Sequence, residues 1–200
     1  MEPIPPVQVS NTPAVQDDVA RLAGSVPVRA AFERFRAQEA QFALWQMEAT
    51  RLAAPPFAEG PRGAWLADRF RELGLTEVQV DEVGNVFGLR PGYGSRFVAL
   101  SAHIDTVFPA ATPLNIRQQG SRLLGPGVSD NGAGIAAMLA VASVLGSARI
   151  AHGMPFLFIG NVGNKAVDFG FGDAVMAAGS FRGFQFSVID PLFQGGVADA

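Results

Sequence analysis

Two short apolar runs constrain this chain more than anything else in it. One is "RFVALSAH", Arg96 to His103, and the other is "MPFLFIGNV", Met154 to Val162. Both read as strands, and a strand that is apolar at nearly every position must be covered on both faces. Between them lies "SDNGAGIAAMLAVASVLGSA", an apolar small-residue segment that reads as a helix opened by Ser129-Asp130 as its N-cap. Its most apolar part, Ala133 to Gly146, falls short of the roughly 20 residues that span a bilayer. Helices alternating with buried strands argue for an α/β fold with a mixed, mostly parallel sheet flanked by helices.

The flanking text agrees. "PVRAAFERFRAQEAQFALWQMEATRLAA" carries Phe32, Phe35, Phe42 and Trp45 at helical spacing and is stopped by Pro55-Pro56. "RGAWLADRFRELG" is a second helix closing on Gly74. "TEVQVDEVGNVFGLRPG" alternates as a strand, turns at Gly84-Asn85 and returns as a strand. "NIRQQGSRLLGPG" is a short hairpin with its turn at Gly120. Residues 1–25 show no sustained period and are expected to form a flexible arm, leaving 26–200 as one α/β domain. After Gly163 the text becomes rich in Phe and Gly, with a helix expected around "DAVMAAG" and a strand at "FQFSVID".

Composition limits the function classes. At 48% hydrophobic residues, the 200-residue chain can bury one core. A net charge of -3 with scattered basic residues gives no surface for nucleic acid or an anionic membrane. With no cysteine, disulfides and thiolate metal sites are excluded, so any metal is held by His, Asp or Glu. The N-terminus lacks the basic and apolar regions of a secretory signal, and the expected location is cytoplasmic.

The chemistry-bearing residues fall at the ends of these elements. In "SAHIDTVFP", His103 and Asp105 are two apart, so both side chains emerge on one face if the strand continues. Either the imidazole is a metal ligand oriented by the carboxylate, or it is a surface histidine before a turn. In "GPGVSDNGAG", Asp130 is either the helix N-cap or a carboxylate bridging two metal ions, and the two roles are compatible. The glycines around it, Gly125, Gly127, Gly132 and Gly134, leave room for close approach. Ser129 is not a hydrolase nucleophile: the elbow motif needs Gly two residues on, where Asn131 stands. Asp190, in "FSVIDP", is either a ligand at a strand end or a turn residue, and His152 reads as a surface loop residue.

Taken in order, "SAHIDTVFP", "GPGVSDNGAG" and "FLFIGNVG" resemble the di-zinc exopeptidase family of peptidase T, aminoacylase and glutamate carboxypeptidase. The likeness spans roughly residues 40 to 163, part of that family's catalytic domain. It implies a zinc-exopeptidase (phosphorylase/hydrolase-like) fold, here truncated, without the family's lid or dimerisation domain. It also implies metal-dependent hydrolysis of amide or peptide bonds by a zinc-activated water. His103, Asp130 and Asp190 would be the metal ligands present, with Asp105 as the catalytic acid that orients the histidine. The cofactor would be Zn2+ at two sites, at most partly formed, and the substrate a small peptide or an acylated amino acid.

The departure from the family lies after "NVG". The family carries a Glu-Glu pair there, general base and ligand, where this chain has Asn164-Lys165. Two further readings therefore stand beside the active hydrolase. One is a truncated or frame-shifted inactive copy. The other is a non-catalytic binding module with a vestigial metal site. "FQFSVIDP" still resembles the family, which counts against a shifted frame.

Overall fold

A computed structural model describes residues 12–94, 96–148, 150, 152–162 and 184–189. Four helices come first: α1 (Pro13–Ala23), α2 (Val26–Ala37), α3 (Glu39–Arg51) and α4 (Gly60–Glu72). Helix α1 lies inside the stretch expected to be an arm, capped by the Thr12 hydroxyl and burying none of its residues. The single long helix expected up to Pro55 is instead two, α2 and α3, which meet at Gln38 with φ -103° and ψ 9°. The break re-aims the chain so that α3 buries Trp45, Ala49 and Thr50, whereas α2 buries Ala31 alone.

Helix α4 ends as its glycine predicts. Gly74 takes φ +72°, Gly74 N–H donates to Arg71 O, and Leu75 N–H reaches back to Phe70 O. That pair of bonds is the Schellman closure, which favours glycine at the left-handed position. Leu66 and Phe70 on its inner face are fully buried.

The strands are β1 (Thr76–Val80), β2 (Val86–Arg90), β3 (Phe97–His103), β4 (Arg117–Gln119), β5 (Arg122–Leu124), β6 (Phe156–Asn161) and β7 (Phe184–Ile189). Five of them form one sheet in the order β1-β2-β6-β3-β7, while β4 and β5 form the separate hairpin expected around Gly120. The mixed sheet is as expected, but it is not mostly parallel. Among the described strands β3 and β6 pair in parallel, while β1 with β2, β2 with β6 and β3 with β7 are antiparallel. Connection length explains the difference. Helix α5 (Ala133–Ser147) lies between β3 and β6 in the chain and permits a crossover, whereas Asp81–Asn85 is too short for one.

In β3 the consecutive residues Ala99 to Ala102 are all buried, so both faces of the sheet are covered there. Helix α5 sinks Ile135, Met138, Leu139 and Ala142 into the core beside Leu100 and Phe158. Together with the kinked turn before it, α5 makes a stretch, Val128–Ser147, whose 20 residues are long and apolar enough to cross a membrane. Sixty-one per cent of it is buried within the fold, the mark of a core helix.

Candidate metal centre

The parallel pairing of β3 and β6 places His103 opposite Asn161, so two strand ends meet at one sheet edge. That edge is where open α/β sheets hold their ligands. Beyond His103, Ile104 N–H donates to Asn161 O at 2.8 Å and its side chain is fully buried. Asp105 therefore returns to the side of His103. Thr106 N–H then donates to Ala54 O at 2.8 Å, tying this loop to the segment after α3.

The imidazole of His103 stands between two carboxylates. Nδ1 lies 3.2 Å from Asp105 Oδ1, and Nε2 lies 2.9 Å from Asp130 Oδ1. The side chains grade outward, Asp105 at 19% exposure, His103 at 30% and Asp130 at 77%. The His103 pKa is raised, first by its hydrogen bond to Asp105, then by the charges of Asp105 and Asp130, while burial works against them.

Asp130 does not cap the helix. The helix proper opens at Ala133 without a side-chain cap, and the preceding turn Val128–Gly132 has none either. Asp130 itself is extended, with φ -125° and ψ 93°, which turns its carboxylate to His103 and away from the helical N–H groups. The Asp130–Asn131 peptide is cis. Asn131 is fully buried, and its Nδ2 donates to His103 O at 2.9 Å, so the loop grips the strand end by backbone as well as by side chain. The glycine-rich setting has a reason: a Cβ at Gly132 would collide with the Thr50 hydroxyl, and one at Gly134 with the Asn131 amide.

Sequence reasoning missed a buried arginine behind this cluster. Arg62, on α4, donates from Nε to Leu52 O at 3.1 Å and from Nη1 to Ile104 O at 2.9 Å. Burial pushes its pKa down to about 10, while the Asp105 carboxylate works the other way. The signal was present in the spacing, since Arg62, Leu66 and Phe70 lie four apart on one helix face. A charge heading an apolar stripe is buried with partners or not at all.

The donor set suits a zinc-type ion in part. Zinc takes imidazole nitrogen and carboxylate oxygen at roughly 2.0–2.2 Å, with the ring's other N–H held by a carboxylate. His103 Nε2 and Asp130 would supply two such ligands, and Asp105 lies where it would restrain the ring. Among the described residues no group of three or more His, Asp or Glu side chains is arranged to hold a metal. Asp190 and the Asn164-Lys165 pair lie outside the described residues. Strand β7, which precedes Asp190, ends with Ile189 opposite Phe97, at the other end of β3 from His103. His152 is a loop residue as expected, bonded through Nδ1 to Met154 O at 2.9 Å.

The sequence model of peptidase family M28 matches residues 85–161, the stretch that runs from β2 through His103, Asp105 and Asp130 to β6. No curated protein matches the chain. Among solved structures, a tripeptidase from Staphylococcus aureus is similar at 25% identity with a TM-score of 0.55, over 64% of this chain and 37% of its own. Aminopeptidase PepT from Bacillus cereus is similar at 24% identity with a TM-score of 0.54, over 62% and 36%. Human carnosine dipeptidase 1 shares the fold at 14% identity with a TM-score of 0.59, over 79% and 36%. The chain thus spans little more than a third of the length of these structures. Residues 85–161 thus match the model of peptidase family M28, and the chain shares part of the fold of these peptidases.

Proposed function

We propose that the chain carries the His-Asp half of a metal-dependent hydrolytic site for amide or peptide bonds, with zinc as its ion. The observation that supports this most directly is the His103 ring held between Asp105 and Asp130 at the C-terminal edge of the β3–β6 pair. With Asp105 accepting the Nδ1 proton, a metal-bound His103 would offer its Nε2 lone pair on the side where the exposed Asp130 carboxylate stands. His103 and Asp130 would hold the ion, and Arg62 keeps a positive charge behind Asp105. When bound, zinc supplies Lewis acidity toward an amide carbonyl and makes water a better nucleophile near neutral pH. Small peptides and acylated amino acids are the substrate class.

A zinc titration of the 200-residue chain by calorimetry tests this reading. The wild type binds zinc; Asp105→Asn weakens it by about 10- to 100-fold, and His103→Ala abolishes the site. Zinc affinity that is absent, or that survives His103→Ala, defeats the reading. A second reading, that the chain holds metal without turnover, is favoured by Asn164-Lys165 at the Glu-Glu positions. Asparagine cannot take a proton at neutral pH, and a lysine ammonium repels a cation. Zinc binding at His103 with no cleavage of dipeptides or N-acetyl amino acids would establish that second reading in place of the first.

A further inference from the structure

Helix α1 is specified locally at both ends. The Thr12 hydroxyl accepts from Val15 N–H at 3.4 Å, and Pro13 opens the first turn. Asp18 and Arg21 pair at 2.8 Å one turn apart, and Arg21 stands in the last turn, where a cation complements the helix dipole. Gly24 N–H donates to Ala20 O at 3.0 Å and the Ser25 hydroxyl to Leu22 O at 2.7 Å, closing the end. Yet none of its 11 residues is buried, so the helix adds nothing to the core. A helix this short is marginal in water by itself, and packing of an apolar face is what ordinarily holds it.

Such a face exists and is bare. Val15, Val19 and Leu22 follow the i, i+4, i+7 spacing of one helix side and are 40%, 60% and 62% exposed. No other helix or strand among the described residues exposes three large apolar side chains. An anionic lipid surface is a poor match, because helices that lie in one carry Lys and Arg on the polar face. Here the charges are Asp17, Asp18 and the single Arg21.

Those charges fit a second copy of the helix. Asp18 and Arg21 stand on the same edge of the stripe. If two α1 helices cross antiparallel about a two-fold axis near Val19, like edges meet. Asp18 of each copy then faces Arg21 of the other, Val15 meets Leu22, and Val19 meets its own counterpart. A parallel pair would set that edge against Gln16 and Ala23 and leave the charges without partners across the interface. We propose that the chain self-associates through α1 as an antiparallel two-fold dimer, a self-complementary contact of the kind most homodimers use. Three side chains a copy make a stripe well below the roughly 800 Å² per partner of a stable interface. The dimer is therefore weak, forming at about 10–100 µM. The inference stands apart from the metal centre and from the hydrolase reading.

Sedimentation equilibrium and hydrogen exchange on the 200-residue chain, each at about 2 µM and about 200 µM, test it. The mass doubles over that range, and the α1 amides exchange at least about tenfold more slowly at the higher concentration while those of α4 and α5 do not change. Val19→Glu sets two carboxylates at the axis and weakens the dimer at least about tenfold. Asp18→Arg weakens it about threefold, and Asp18→Arg with Arg21→Asp restores it. All these positions are exposed, so unchanged melting of dilute variants shows that folding is not what moved. A monomer at 200 µM overturns the proposal. So does a dimer that Val19→Glu leaves intact, which places the contact elsewhere. Protection of α1 already complete at 2 µM overturns it too, by assigning the stripe a cover within its own chain. Slowed exchange of a monomeric chain on phosphatidylcholine vesicles would give the stripe to lipid instead.

Discussion

His103 is restrained from three directions: Asp105 behind it, Asp130 in front, and the Asn131 amide on its carbonyl. Its raised pKa has a consequence for the metal-free protein. The folded state holds the imidazole proton more tightly than the unfolded chain does. The stability this contributes is complete below the unfolded value of about 6.5 and is lost as pH rises through the folded pKa. Thermal melts of the metal-free wild type should therefore fall with rising pH relative to His103→Gln, whose curve lacks that component. A zinc ion bound at His103 would reverse the preference, because a metal takes the neutral ring. Arg62 is the other residue that decides the local geometry. Arg62→Met leaves the Leu52 and Ile104 carbonyls without their donors in the interior, and should cost about 2–4 kcal/mol in urea unfolding. A loss below about 0.5 kcal/mol would show that water replaces the guanidinium.

At the scale of elements, the site is an effect of β3 and β6 lying side by side in register. Gly160, opposite Ala102, sits where a Cβ would run into Leu66 and come 3.1 Å from Ile104 Cγ2. Gly160→Val should destabilise by about 1–3 kcal/mol through overpacking. Because Ile104 carries Asp105, the same variant should also weaken zinc binding; a destabilised variant with unchanged zinc affinity would mean the strand end moves as a unit. The turn before α5 shows how local preference yields to a tertiary contact. Asp at a helix start ordinarily caps it, but here an extended Asp130 reaches across to a strand 27 residues earlier.

For the whole molecule, the sheet and helices α3, α4 and α5 hold the core, while α1 buries nothing. Removing residues 1–24 should leave the melting temperature of a dilute sample within about 2 °C, whereas Phe158→Ala, at a fully buried position, should cost about 3–5 kcal/mol. A large loss from the deletion would assign α1 a packing partner in its own chain. The strands, α4 with its glycine closure and the central helix were legible from residues alone, because burial on both faces, a 3.6-residue period and a left-handed cap are properties of a segment and its near neighbours. His103, Asp105 and Asp130 were legible as candidates for the same reason, each standing at the end of an element. Three things were not: the largely antiparallel pairing, the break at Gln38, and the burial of Arg62 behind Asp105. Each depends on which surfaces meet across tens of residues. So does the bare stripe of α1, since apolar spacing is written in the sequence but whether a surface is covered is decided only once the chain has folded.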